Sequence, residues 1–321
     1  VSHVGNNTRY VSDELRSSVM AAIKALNYQP YGLARSLRRK TTHTIGMVIP
    51  DNTNPFFAEI ARWIESAFFD LGHSVILCNT DNKIEKETIY LEFLIEKGVD
   101  GICFVSTGGD KRNIEAIFDN RVPKVIIDRE IQGFDVDTVL VDNYRGGYAA
   151  ASYLIELGHQ NIGCIASPAN ISPSTQRVVG FKDALKAAGL PIHEHMVIYG
   201  NFQSRSGYDG LKTLMTNSPR PTAVFACNDM MAFGALLAAY EMDIKVPDQL
   251  SLVGFDDISL ASLTIPKLTT VAQPKQEIAA ISSELLMNRI KDKDKKPVKM
   301  ILPTELIVRD SCKPPDSRYR R

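Results

Sequence analysis

From residue 44 onward the chain alternates short apolar runs with longer stretches of helical periodicity. Ile45-Gly46-Met47-Val48-Ile49 is the first run, and residues 54–71 then repeat apolar positions at helical spacing. Residues 73–79 read as a strand, 85–97 as a helix, 101–105 as a strand, 113–119 as a helix and 124–127 as a strand. The alternation restarts around Val141-Asp142-Asn143. It predicts helices over 148–157, 177–188, 207–215 and 230–240, and strands over 162–166, 197–199, 223–226 and 250–254. A helix over 277–290 and late strands over 299–302 and 306–308 complete the pattern. Strands that are apolar throughout are buried on both faces, and the intervening helices supply the cover. The pattern therefore predicts an α/β fold on parallel sheets. Two blocks of about equal length make two doubly wound, Rossmann-like lobes. Their cleft lies at the carboxyl ends of the strands, where open α/β sheets bind ligands.

The first forty residues follow another pattern. Residues 12–27 read as one short helix, with Leu15, Val19, Ile23 and Leu26 on one face, Ser12 placed to cap it and Asp13 and Glu14 at its positive end. One helix cannot bury that face alone, so it is expected to belong to a small helical bundle. Val1-Ser2-His3-Val4 is all that precedes it besides a short link, and the natural start of the protein is expected upstream of Val1.

Charge sharpens the contrast. The whole chain is neutral, yet residues 1–40 hold seven basic side chains against two acidic ones, which leaves +5 there and −5 on the remainder. Such asymmetry points to a polyanion partner at one end. Its focus is Pro30-Tyr31-Gly32-Leu33-Ala34-Arg35-Ser36-Leu37-Arg38-Arg39-Lys40, a cationic helix candidate with one protruding apolar residue, Leu37. Cations around an apolar wedge suit a DNA minor groove, where phosphates hold Arg and Lys while the wedge opens a base step.

At 321 residues the chain exceeds one ordinary core. No apolar run is long enough to cross a membrane, and no membrane partner is expected. Cys78, Cys103, Cys164 and Cys227 sit in apolar strand-like runs without ligand spacing. With Cys312 they read as reduced thiols of a cytoplasmic protein, with no metal and no cofactor expected. His193-Glu194-His195 follows Pro191 in a loop and reads as solvated. Gly108-Gly109 and Gly146-Gly147 lack the Lys-Ser/Thr of a phosphate loop, no nucleophile elbow is present, and adjacent Asp256-Asp257 should diverge rather than form an acid–base pair. No catalytic residue is assigned and no enzyme is expected.

The candidate chemistry lies after the strands. Phe56 and Phe57, Asp128-Arg129, Asn228-Asp229, Phe255-Asp256 and Gln273 all fall there, with Arg177 at the opening of a helix. Aromatic faces stack on the C–H face of a sugar ring, carboxylates accept from hydroxyls, and Arg and amides donate to them. Each buried hydroxyl needs such a partner, or desolvation prevails.

An ordered series of short motifs adds a family resemblance. It runs through Ala22-Ile23-Lys24-Ala25-Leu26-Asn27-Tyr28-Gln29-Pro30, Leu33-Ala34-Arg35-Ser36-Leu37, Thr44-Ile45-Gly46, Asn54-Pro55-Phe56-Phe57, Asp142-Asn143, Gly158-His159, Asn228-Asp229, Gly254-Phe255-Asp256 and Leu268-Thr269-Thr270. Over nearly its whole length the chain resembles the lactose-repressor/galactose-repressor family. The resemblance implies a periplasmic-binding-protein type I fold preceded by a partial helix-turn-helix headpiece over 1–29 and a hinge helix and linker over 30–43. It divides the core into a first lobe of 44–142 with 274–292 and a second of 143–273 with 293–312; the Pro-rich residues 313–321 read by composition as a mobile tail. It also implies DNA contacts from Ser2, His3, Arg9, Tyr10, Ala34, Arg35, Leu37 and Arg38. Asn54, Phe56, Phe57, Asp128, Arg129, Arg177, Phe202, Asn228, Phe255, Asp256 and Gln273 resemble the pocket of ribose-binding proteins and ribose-responsive members of the family. The expected partners are a palindromic operator DNA, a sugar effector and a second copy of the chain, since paired hinges and a palindrome both require two-fold symmetry. A purine or other corepressor is the alternative effector. A transport receptor for sugars would lack the basic segment before residue 44.

Overall fold

The computed structural model describes residues 10–26, 41–108, 122–131, 133–168 and 171–316. The chain divides into two units, 1–42 and 43–321. In the first unit, helix α1 (Asp13–Ala25) carries Asp13 and Glu14 in its first turn and Lys24 in its last, as the helix dipole favours. Ser12 occupies the N-cap, but its hydroxyl makes no capping bond, contrary to expectation; its carbonyl accepts from Arg16 N at 2.9 Å. No residue of α1 is buried. Tyr10 is exposed. Ser2, His3, Arg9, Ala34, Arg35, Leu37 and Arg38, and the helix expected over 113–119, lie outside the described residues.

The second unit begins with β1 (Thr44–Ile49), buried from its second residue onward. Asn54 then starts α2 (Pro55–Asp70): its side chain accepts from Phe56 N, and Pro55 fills a first-turn position that needs no amide hydrogen. β2 (Ser74–Asn79), α3 (Ile84–Glu96), β3 (Gly101–Phe104), β4 (Lys124–Ile127) and β5 (Asp137–Val141) follow. The second lobe contains α4 (Asn143–Glu156), β6 (Ile162–Ala166), α5 (Ser172–Ala187), β7 (Val197–Tyr199), α6 (Ser204–Leu214), β8 (Ala223–Ala226), α7 (Asp229–Glu241), β9 (Ser251–Asp256) and β10 (Thr269–Ala272). The chain then crosses back through α8 (Lys275–Lys291) and β11 (Lys299–Leu302), and returns as β12 (Glu305–Ile307).

Two six-stranded sheets result, ordered β11-β5-β4-β3-β1-β2 and β12-β10-β9-β8-β6-β7. All pairs are parallel except β10 with β12. In the first lobe α2 and α8 cover one face, burying Ile60, Ile64, Phe68, Ile278 and Leu286, while α3 covers the other with Leu91 and Leu94. In the second lobe α4 and α5 meet where side chains are smallest. A Cβ on Gly147 would sit 2.1 Å from Arg177 O, and one on Gly180 would sit 2.0 Å from Tyr144 O. Gly146-Gly147 thus serves helix packing.

The structure corrects four expectations. β11 pairs in parallel with β5, so Lys299–Leu302 belongs to the first lobe's sheet and the chain crosses between lobes after it; the boundary at 293 is wrong. β5 and β10 were not predicted, because Asp137-Thr138 and Thr269-Thr270 interrupt their apolar runs. Both threonines of β10 are buried and satisfied: Thr270 Oγ1 donates to Asp229 Oδ1 at 2.6 Å, and Thr269 Oγ1 accepts from Arg309 N at 2.9 Å. Helix α5 starts at Ser172, which places Arg177 inside it. Finally, the tail is anchored at its start. Lys313 N donates to Ser251 Oγ at 3.1 Å, and Lys313 O lies 3.0 Å from His159 Nε2. His159 Nδ1 lies 2.9 Å from Thr222 Oγ1, and burial lowers the ring's pKa, so this histidine ties strands together as a neutral core residue.

Candidate ligand-binding site

Three strands that feed the cleft, β4, β8 and β9, end in turns that aim polar groups inward. After β4 the chain turns at Asp128, whose φ of 68° is in the left-handed region, and Arg129 follows. After β8, Asn228 caps α7 by accepting from Met231 N at 2.9 Å and donates through Nδ2 to Phe202 O at 2.9 Å. That bond holds Phe202, itself at φ 69°. At the end of β9, Asp256 and Asp257 adopt φ of 109° and 49° and part company: Asp257 accepts from Arg309 Nη2 at 2.6 Å, while Asp256 faces inward. Three non-glycine residues at positive φ lining one cavity, Asp128, Phe202 and Asp256, mark strain held in place by neighbours, a common property of binding sites.

The cavity is lined by Asn54, Phe56, Phe57, Asp128, Arg129, Pro173, Arg177, Phe202, Asn228 and Asp256. Nine of the eleven ligand-site candidates are therefore brought together. Gln273 stands behind, donating through Nε2 to Asp256 Oδ1 at 2.7 Å. Phe255 does not line the cavity: it is fully buried in the second lobe, under the Arg177 guanidinium at 3.6 Å. A ring at that place supports the arginine and cannot reach a guest. Pro173 was not anticipated, since a proline in the first turn of a helix carries no chemical signal of its own.

Arg177 is the hub. Its Nη1 donates to Cys227 O at 2.6 Å and approaches Asp256 Oδ1 at 3.5 Å, and its Nε donates to Asn143 Oδ1 at 2.7 Å. Arg129 donates through Nη1 to Ser106 O at 2.9 Å and lies 5.5 Å and 5.6 Å from the ring centres of Phe57 and Phe202. Several polar atoms are left over. Asp128 Oδ1, Arg129 Nε and Gln273 Oε1 are buried without a hydrogen-bond partner. Burial pushes the Asp128 carboxyl up, against the pull of Arg129 and Arg177. Asp256 is raised to about 6, chiefly by burial, with Arg177 and Gln273 opposing and Asp128 adding to the rise. Asp229, buried behind it, is raised by burial and by Asp256; its two oxygens accept from Thr270 Oγ1 and from Ile258 N.

The cavity volume is about 20 Å³, room for a water molecule. A larger guest enters only when the lobes part or the aromatic rings swing aside. Among the described residues, no group of three His, Cys, Asp or Glu side chains is placed to hold a metal ion. His193-Glu194-His195 is instead part of a short 3-10 turn in which Glu194 pairs with Lys182 at 2.8 Å. No helix among the described residues is long and apolar enough to cross a membrane.

This arrangement, a two-lobed core with its cleft at the strand ends, matches a known architecture. Residues 42–310 match the family described as periplasmic binding proteins and sugar binding domain of LacI family, and residues 1–31 match bacterial regulatory proteins, lacI family. The chain belongs to the LacI family. Its fold is the type I periplasmic-binding-protein fold, and it is a LacI-family transcriptional regulator. The ribose operon repressor of Escherichia coli (strain K12) is 40% identical over 291 residues, 90% of this chain and 88% of that one. The HTH-type transcriptional repressor PurR of Photorhabdus laumondii is 40% identical over 295 residues, 91% of this chain and 86% of that one. Among solved structures, the lac repressor dimer bound to operator and the anti-inducer ONPF superimposes with TM-score 0.85 at 27% identity, covering 97% of this chain and 93% of that one. A LacI family regulator from Enterococcus faecium with bound ribose gives TM-score 0.78 at 32% identity, covering 85% of this chain and 100% of that one.

Proposed function

We propose that this LacI-family protein is a cytoplasmic, operator-binding repressor of a sugar-utilisation operon, and that ribose or a related pentose binds between the lobes and releases it from DNA. The observation that carries the effector is the cavity's inventory: aromatic faces beside buried carboxylates, guanidinium groups and amides, with Asp128 Oδ1 lacking a hydrogen-bond partner and Arg129 Nε held only by Asp128 Oδ2 at 3.6 Å. A ring with hydroxyls on both faces satisfies such groups, whereas an apolar guest would leave them buried and unpaired. The relative solved with ribose supports the choice. PurR relatives of equal identity make a purine corepressor the competing reading.

The proposed switch is a population shift. A sugar that favours the closed lobes about 100-fold moves the equilibrium by about 2.7 kcal/mol per site. The hinge helix, with Leu37 as its minor-groove wedge, would read that shift. Calorimetric titration with D-ribose, other pentoses and hypoxanthine, followed by operator binding with each, tests the reading. Ribose binding that weakens operator affinity is the expected result. Binding of hypoxanthine alone, with tighter operator binding, would replace it.

A homodimer is part of the proposal. Leu263 and Ile265, in the turn before β10, are 72% and 98% exposed, and Phe69 on α2, Leu77 on the edge strand β2 and Ile89 on α3 are exposed as well. Apolar side chains this exposed are what a two-fold interface covers. The double variant Leu263→Asp, Ile265→Asp is expected to raise the dimer dissociation constant by about 100-fold or more. Analytical ultracentrifugation would measure it, and an unchanged dimer would move the interface elsewhere.

A further inference from the structure

Outside the cavity, the first lobe grips the second at one turn. Glu59, on α2, accepts from Ser259 N through Oε1 at 2.8 Å and pairs through Oε2 with Lys275 Nζ at 3.2 Å. Lys275, the first residue of α8, donates to the carbonyls of Asp256 at 3.0 Å and Asp257 at 2.5 Å. Both α2 and α8 pack on the first lobe's sheet, whereas residues 256–259 leave the second lobe's strand β9. Between these contacts Ile258 is buried among the side chains of the first lobe's core. The gripped turn is the one whose residues stand at positive φ, a conformation that side-chain-bearing residues keep only when their surroundings hold it. It is also the turn that presents Asp256 to the cavity. Neither Glu59 nor Lys275 lines the cavity, and their side chains are only 22% and 13% exposed.

We propose that Glu59 and Lys275 are positioning residues for the effector site: together they clamp the 256–259 turn across the cleft and couple closure of the lobes to the direction of the Asp256 carboxylate. The clamp rests on the effector reading above. It acts on the closed conformation and touches no guest. Its loss therefore lowers the population of the binding-competent state and weakens all guests by one common factor, because apparent affinity scales with that population. A lining residue would change different guests by different factors.

The test uses the full chain with Glu59→Ala and Glu59→Gln, the latter keeping an acceptor for Ser259 N while removing the charge. Lobe separation without sugar is followed by small-angle scattering, and D-ribose and 2-deoxy-D-ribose are titrated by calorimetry. The expected result is that Glu59→Ala opens the lobes and raises both dissociation constants by about tenfold, the factor that about 1.4 kcal/mol makes, with Glu59→Gln between. Unequal factors for the two sugars, or unchanged separation and affinity, would overturn the clamp and leave ribose binding in place. Opened lobes with no sugar bound by the wild-type chain would support the clamp and remove the sugar reading. A Glu59→Ala protein that fails to fold leaves the decision to Glu59→Gln and Lys275→Gln, judged by the same common factor.

Discussion

Replacing Asp256 with asparagine is expected to stabilise the sugar-free protein and to cost at least about 100-fold in ribose affinity. The carboxyl is fully buried, and its pKa rises from 3.8 to about 6 in the fold. A raised pKa means that the folded state binds the proton more tightly than the unfolded state. The stability this group contributes is therefore complete below pH 3.8 and is lost as the pH rises through about 6. At neutral pH its ionisation costs about 3 kcal/mol, at roughly 1.36 kcal/mol per pKa unit. Asparagine removes that cost and keeps an Oδ1 to accept from Gln273 Nε2. It loses the charge that a sugar hydroxyl would donate to, and it leaves Arg177 without its carboxylate. Affinity in the wild type should move opposite to stability, rising with pH through about 6 as the carboxylate forms. Arg177, Asp128, Lys275 and Asp229 are the charged groups that tune this midpoint. Thermal unfolding and ribose titration from pH 4.5 to 8 would measure both curves. Parallel trends, or a destabilised variant, would count against an ionised Asp256 held ready for a guest.

Gly180→Ala should be among the most damaging single methyl additions in the second lobe. The added Cβ would lie 2.0 Å from Tyr144 O and 2.8 Å from Tyr148 N, both backbone atoms of α4, so no side chain can swing aside to admit it. The helices must separate. Overpacking of this kind costs about 3 kcal/mol or more. Arg177 lies one turn before Gly180 on the same helical face, so the shift reaches the cavity as well. The expected outcome is a lowered melting temperature together with weakened ribose binding. Gly72→Ala is the control: Gly72 has φ 76° but nothing within 4 Å of an added Cβ, so it bears backbone strain alone, on the order of 1 kcal/mol. Equal losses at the two positions would show that the α4–α5 contact is looser than described.

Much of the binding site could be read from residue type and position. Phe57, Asp128, Arg129, Asn228 and Asp256 all stand at or just past the end of a strand or at a helix start, so local pattern was enough to find them. Phe255 misled because neighbours on a strand point to opposite faces: once Asp256 faces the cavity, Phe255 must face the core. Asn143, Ser106 and Lys275, which orient the arginines and the Asp256 turn, gave no such signal, because their role lies in partners distant along the chain. The polar strands β5 and β10 were missed for the same reason. Thr269 and Thr270 of β10 are tolerated inside because Arg309 and Asp229 complete their hydrogen bonds, and Asp137 of β5 because Arg289 pairs with it.

The sequence by itself determined that the core is two parallel-sheet lobes, that its basic end carries a cationic helix candidate, and which strand ends carry polar chemistry. Each of these is written in spacing over a few residues, where backbone geometry alone sets which side chains share a face. Only the tertiary structure decided that β11 joins the first sheet, that Phe255 braces Arg177, and that Glu59 reaches Ser259 across the cleft. Those outcomes depend on close packing between segments far apart in sequence, where a contact forms or fails by a fraction of an ångström that no local pattern encodes.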